Sequence, residues 1–241
     1  MIAAGFLANG AKVYISSRKA KVCDATAARL SKQYDGECVS LPANLADMSG
    51  IEALAAELNK REDQLDILVN NAGVSWGAPL EEFPEIGWDK VMDTNVKGYF
   101  FLTLKLLPLL RNAASAQRPA RVINVGSIDG IRTPVFETFS YGPSKAAAHY
   151  LTRVLAAHLA KDHIRVNAIA PGPFPTYMLS TGVGGGGDVD NTDWDSVAAR
   201  NPSGRVGTPE DVAGIAIFLS SRASDFTTGE VISCDGGVVI T

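Results

Sequence analysis

A chain of 241 residues is long enough to bury a large core, and 46% hydrophobic with 20% charged residues is the balance of an ordinary globular protein. A net charge of −4 without any cluster of lysine and arginine argues against a nucleic-acid partner. The most apolar stretch, Tyr99 to Leu110, is interrupted by Lys105 and Pro108 and is too short to span a bilayer, so no membrane partner is expected. Cys23, Cys38 and Cys234 are odd in number, far apart and outside any C-x-x-C pattern, which points to buried free thiols in a cytoplasmic protein.

In chain order, Ile2 to Asn9 reads as the tail of a helix with Gly10 as its left-handed cap. Lys12 to Ser16 is a short strand, Ala20 to Tyr34 a helix and Glu37 to Leu41 a second strand. Ile51, Leu54, Ala55 and Leu58 follow the i, i+3, i+4, i+7 spacing of an amphipathic helix. Leu65 to Val69 is the third strand, Trp88 to Leu110 mostly one long helix, and Arg121 to Val125 the fourth strand. A helix containing Tyr141 and running to Leu159 precedes a fifth strand, Ile164 to Ala170. The spacing of Val212, Ile215, Ala216 and Leu219 gives a further helix, and Val231 to Cys234 the last strand. Alternating helices and apolar, β-branched strands predict an α/β, doubly wound parallel sheet covered on both faces, in a single domain spanning 1–241. The longest irregular stretch, 171–208, holds Gly184 to Gly187 and is expected to be a mobile substrate loop.

Ligands of open parallel sheets bind at the carboxyl ends of the strands, so the residues following each strand are the candidates. Ser17 and Arg18 follow the first. An arginine without a nearby carboxylate suits the 2′-phosphate of NADP, a solvated loop arginine being the alternative. Asn44 and Leu45 follow the second strand, with Asn44 placed to meet a base edge. Asn71, Ala72 and Gly73 follow the third, small enough for close approach of backbone to a flat ligand, although such residues are also ordinary in turns. Asn95 and Gly98 are poor helix formers inside a long helix, a polar kink that hints at a site. Pro171, Gly172 and Thr176 form a rigid turn after the fifth strand. His149, His158 and His163 have no metal-ligand spacing and no special role is expected of them.

Tyr141 and Lys145 lie one helical turn apart on one face. A free phenol, with a pKa of about 10, is a poor acid–base catalyst at neutral pH, and a nearby cation lowers that value. Ser127, at the end of the fourth strand, could donate a hydrogen bond to a carbonyl oxygen beside the tyrosine. Alone, a Tyr-x-x-x-Lys is a common accident; its company makes it specific.

Together, Asn70-Asn-Ala-Gly73, Asn95, Ser127, Tyr141-x-x-x-Lys145, Pro171-Gly172-x-x-x-Thr176 and Asp235-Gly236-Gly237 resemble the short-chain dehydrogenase/reductase family, in the right order over nearly the whole chain. Gly204-Arg-x-Gly-Thr-Pro-Glu-Asp-Val212 and Thr228-Gly-Glu-x-Ile232 look most like its NADPH-dependent ketoacyl reductases. The resemblance implies hydride transfer between NADP(H) and a ketone or secondary alcohol, with Tyr141 as general acid or base. Lys145 would lower the tyrosine pKa and hold the nicotinamide ribose, Ser127 would orient the substrate oxygen, and Asn95 would position a water in a proton relay. Pro171, Gly172 and Thr176 would flank the nicotinamide, Asn71 to Gly73 the adenosine side, and Asn44 would replace the family's usual aspartate at the adenine. A small carbonyl or alcohol substrate and a homodimer or homotetramer are implied as partners.

The resemblance fails at the start. The family opens with a strand and a glycine-rich T-G-x-x-x-G-x-G loop, whereas this chain opens inside the following helix. The first central strand is therefore expected to be missing, in what reads as an N-terminally truncated form. A different class of function follows from that departure: a non-catalytic binding or scaffolding protein that has lost cofactor binding.

Overall fold

The computed structural model describes residues 1–134 and 136–241. The chain runs α1 (Ile2–Ala8), β1 (Val13–Ile15), α2 (Ala20–Tyr34), β2 (Cys38–Ser40), α3 (Met48–Asn59) and β3 (Ile67–Asn70). It continues with α4 (Glu85–Met92), α5 (Gly98–Ala113), β4 (Ala120–Val125), α6 (Tyr141–Leu159) and β5 (Ile164–Pro171). The last elements are α7 (Tyr177–Gly182), α8 (Trp194–Ala198), α9 (Pro209–Ser220) and β6 (Val231–Cys234). The elements expected from periodicity are present, α2 and β6 with the expected bounds. Gly10 takes its expected left-handed conformation at φ 79°.

Two expectations need correction. The long helix from Trp88 is three pieces, because a π-helical turn at Asp93–Lys97 joins α4 to α5. Thr94 adds to the disturbance by turning its hydroxyl back onto the carbonyl of Lys90. The stretch 171–208 is not wholly irregular either. Thr176 and Asp193 cap α7 and α8 by accepting from Leu179 N–H and Ser196 N–H.

All strand pairs are parallel, but they form two sheets, β1–β2 and β3–β4–β5–β6. Among the described residues no strand lies between β1 and β3, and no other segment supplies one. The expected gap at the centre is thus a break in the sheet. Residues 11–18 on one side and 67–75 on the other border one cavity of about 1680 Å³. The larger sheet packs through Val122, Val166 and Ile164 against Leu102, Leu106 and Leu110 of α5, with Ile51 and Leu58 of α3 alongside. Each such buried side chain contributes about 1.5–3 kcal/mol. On the opposite face Ile123 and Ile169 meet Val212, Ala216 and Leu219 of α9. The small sheet has its own cluster of Leu7, Ala27, Leu30 and Cys38. It reaches the rest chiefly through α1, whose Gly5 passes so close to α9 that a Cβ there would lie 2.6 Å from that of Ala213.

Candidate active site

The carboxyl ends of β3, β4 and β5 open onto the large cavity, and buried amides align them. Asn70 Nδ2 donates to Asn124 Oδ1 (2.8 Å) and Thr103 Oγ1 (3.0 Å), and Asn124 Nδ2 donates to Thr152 Oγ1 (2.9 Å). This ladder ties β3 and β4 to α5 and α6 directly beneath the cavity floor, where unpaired polar groups would be costly.

Asn95 projects from the π-helical turn, fully buried. Its Oδ1 accepts from Val74 N–H (2.9 Å), while Nδ2 donates to Val74 O (2.9 Å) and Ser144 Oγ (2.9 Å). One side chain thus fastens the loop after β3 to α6. The disturbance anticipated at Asn95 is this π-helical turn, with the amide projecting from it. Gly73 sits in that loop; a Cβ there would meet Lys145 Nζ at 3.4 Å and Asn95 Oδ1 at 3.7 Å, so bare backbone faces the lysine.

Tyr141, the first residue of α6, and Lys145 line the cavity together with Ser127. Lys145 Nζ donates to Val125 O (2.8 Å) and to Tyr99 Oη (3.4 Å), and lies 5.7 Å from the centre of the Tyr141 ring. Its burial pushes its pKa down to about 7. Tyr141 is pushed up to about 12, chiefly by burial, with the Ser127 hydroxyl pulling it down and Asp129 adding to the rise. The expectation that Lys145 lowers the tyrosine pKa is therefore not met in this arrangement. The ammonium faces the ring and the strand carbonyl instead of the phenol oxygen, and desolvation acts against charge on both groups.

The remaining predicted residues line the same cavity. Ser17 and Arg18 stand exposed after β1, and Arg18 makes no ion pair among the described residues. Asn44 and Leu45 follow β2, with Asn44 Nδ2 donating to Asp47, the N-cap of α3. Asn71, Ala72 and Gly73 form the edge beyond β3. Gly172 must be glycine because a Cβ would lie 2.6 Å from that of Asp235, and its N–H donates to Cys234 O (2.9 Å). Pro171 ends β5 and Thr176 caps α7. Of the cysteines, Cys23 and Cys38 are buried as expected while Cys234 is only half-buried, and no metal-ligating cluster occurs among the described residues.

Sequence reasoning missed Tyr99. Buried on α5, its hydroxyl donates to Val125 O (3.0 Å) and its ring lies 5.5 Å from Lys145 Nζ. Its only sequence signal is its place one turn after Asn95, and it was hidden in an apolar run read as core.

Residues 1–239 match the family model described as enoyl-(acyl carrier protein) reductase. A rhamnolipids biosynthesis 3-oxoacyl-[acyl-carrier-protein] reductase of Pseudomonas aeruginosa is 48% identical over 237 residues, 98% of this chain and 90% of that protein. A gluconate 5-dehydrogenase of Gluconobacter oxydans is 33% identical over 246 residues, 100% of this chain and 90% of the relative. Among solved structures, the active-site complex of Pseudomonas aeruginosa RhlG with NADP superposes with a TM-score of 0.91 at 47% identity, covering 99% of this chain and 90% of that one.

Proposed function

Because the chain belongs to the short-chain dehydrogenase/reductase family, we propose that it is an NADP-dependent reductase of 3-ketoacyl thioesters whose chemistry rests on Ser127, Tyr141 and Lys145. The observation that carries this reading is the convergence of these three side chains, from the end of β4 and the first turns of α6, on one cavity bordered by every residue expected to hold the cofactor. When bound, the nicotinamide supplies the hydride.

The residues fit most of the dinucleotide. Bare backbone at Gly73 and the Pro171–Gly172 turn leave room for flat rings, and Arg18, without an ion pair among the described residues, offers its guanidinium to a 2′-phosphate. At the start of α1, Met1, Ile2, Ala3 and Phe6 border the same cavity.

In reduction, the Tyr141 hydroxyl donates its proton to the carbonyl oxygen as the carbon accepts hydride, leaving an alcohol and a phenolate. A phenol held protonated by burial is the form this step needs. The Ser127 hydroxyl hydrogen-bonds the same oxygen and steadies it as charge develops. Lys145, 5.7 Å from the centre of the Tyr141 ring, is the group that returns a proton to the phenolate, and Asn95 fastens the loop after β3 to α6 beside it.

An apolar wall of Phe136, Met178, Leu179 and Val183 favours an acyl chain over a polyhydroxylated sugar acid. The 171–208 segment, with Gly184, Gly186 and Gly187 at positive φ, is the mobile wall of the substrate side. Exposed Phe100 and Leu104 on α5, and Tyr150 and Val154 on α6, support assembly as a homodimer or homotetramer.

The test is a fluorescence titration with NADPH followed by NADPH oxidation with an acetoacetyl thioester and, separately, with 5-ketogluconate. Micromolar binding and preferential turnover of the thioester are expected. Preference for the sugar acid would overturn the substrate assignment, and failure to bind NADPH would favour the binding or scaffolding alternative.

A further inference from the structure

One helical face of α6 carries a third residue in register with the proposed acid and its lysine. His149 lies one turn beyond Lys145 and two beyond Tyr141, buried at 7% exposure. Its ring fills the space beside the turn that presents Ser127. A Cβ at Gly126 would stand 2.0 Å from His149 Nε2 and 2.6 Å from its Cδ2, and one at Gly130 would stand 2.9 Å from its Cε1. Gly126 has no positive φ, so backbone conformation does not require glycine there; the imidazole does.

The hydrogen bonding of this turn is asymmetric. The β4–β5 ladder ends at Val125, and Gly126 N–H still reaches Ile169 O (2.7 Å). One residue later the sheet provides nothing, and Ser127 N–H donates to His149 Nε2 (3.4 Å). Ser127 Oγ then accepts from Asp129 N–H (3.2 Å), closing the short helical turn Ile128–Gly130. To accept, Nε2 must be unprotonated. Burial and the neighbouring Lys145 push the ring pKa down to about 4, while the Gly130 backbone pulls it up and Arg153 adds to the lowering. The neutral acceptor form is therefore the one present at neutral pH.

We propose that His149 is a positioning residue: as a neutral acceptor for the Ser127 N–H it holds the turn after β4 so that the Ser127 hydroxyl meets the oxygen that Tyr141 protonates. The proposal rests on the reading of Ser127 as the hydrogen-bond donor to substrate. A single face of α6 then sets the acid, its lysine and the station of the serine. Gly126 and His149 work as a matched pair, a missing side chain on the strand end and a ring that occupies its place.

Four single variants of the full chain, Ser127→Ala, His149→Phe, His149→Gln and Gly126→Ala, and the Ser127→Ala/His149→Phe double variant test it. His149→Phe fills the space without an acceptor, and His149→Gln restores an acceptor oxygen on a side chain of similar reach. The expected result is a kcat lowered about tenfold to a hundredfold in His149→Phe, with NADPH affinity unchanged and the circular dichroism spectrum retained. His149→Gln should recover most of that loss, and Ser127→Ala combined with His149→Phe should be little worse than Ser127→Ala alone. Should His149→Phe not fold, Gly126→Ala, which crowds the ring, carries the same expectation of lost kcat at unchanged NADPH affinity. Wild-type kcat in a folded His149→Phe or Gly126→Ala, or a His149→Gln no better than His149→Phe, would overturn the role of His149. A silent Ser127→Ala would instead overturn the reading of Ser127 on which it rests.

Discussion

The four-stranded sheet and the two-stranded sheet are made of the same parallel strands, yet they hold their shape differently. In the larger one, β4 is buried along almost its whole length and pairs on both edges, with a ladder of buried amides under its carboxyl end. In the smaller one, each strand has only three residues, β1 is half-buried throughout, and one edge borders the cavity. There Lys12 is held between Glu37 (3.0 Å) and Glu62 (2.9 Å), exposed pairs of small energetic weight. Tyr141, Lys145, Ser127 and Asn95 all stand on the first unit, whereas Arg18 and Asn44 stand on or beside the second. Proton transfer tolerates little positional error, while capture of a charged group tolerates more, and the proposed roles are distributed accordingly.

The largest expected effect that sharpens this contrast is Tyr141→Phe, which should lower kcat by about 10²–10⁴ while leaving the melting temperature and NADPH affinity nearly unchanged, as read by steady-state kinetics and thermal unfolding. Next come core truncations on the two sides. Leu110→Ala, at a fully buried position on α5, should cost about 2–5 kcal/mol in denaturant unfolding. Leu30→Ala on α2 should fall at the lower end of that range, because its smaller cluster can relax toward the cavity. Hydrogen exchange should likewise be faster at the amides of Val13 and Ile15 in β1 than at those of Val122 in β4 and Val166 in β5. Equal truncation costs, or equally slow exchange at the two sets of amides, would break the comparison.

Arg18→Ala should raise the KM for NADPH about tenfold while sparing kcat and leaving the KM for NADH unchanged, a split that would mark a phosphate contact on the smaller unit. Stability should also depend on pH. Folded Lys145 gives up its proton near pH 7, whereas its ordinary value is 10.5, so between these pH values the unfolded chain binds more protons and stability rises with pH. The raised pKa of Tyr141 acts in the opposite sense, but only above about pH 10. Melting temperatures of the wild type and Lys145→Met at about pH 7 and pH 9.5 check this. The wild type should gain stability over that interval, and the variant should lose that part of the gain.

Much of this architecture was legible along the chain because it is local. The 3.6-residue pattern places α2 and α3, runs of β-branched residues place β4 and β5, and Tyr141 and Lys145 share a helix face by spacing alone. The break between β1 and β3 was also readable, from the departure at the start of the chain. Less readable was the π-helical turn at Asn95, where only two poor helix formers gave a hint. Tyr99 and His149 were not legible as site residues. Each carries an ordinary helical pattern, and each matters through partners far along the chain, Val125 for Tyr99 and Gly126 with Ser127 for His149.

The sequence by itself determined the order of helices and strands, and it marked the serine, tyrosine and lysine, because backbone periodicity and residue chemistry are carried by neighbouring residues. Tertiary structure alone decided which carbonyl receives the lysine, which ring stands behind Ser127, and that burial holds Tyr141 protonated while drawing Lys145 toward neutrality. Desolvation and long-range hydrogen bonds depend on what surrounds a group in space, and no spacing along the chain encodes that.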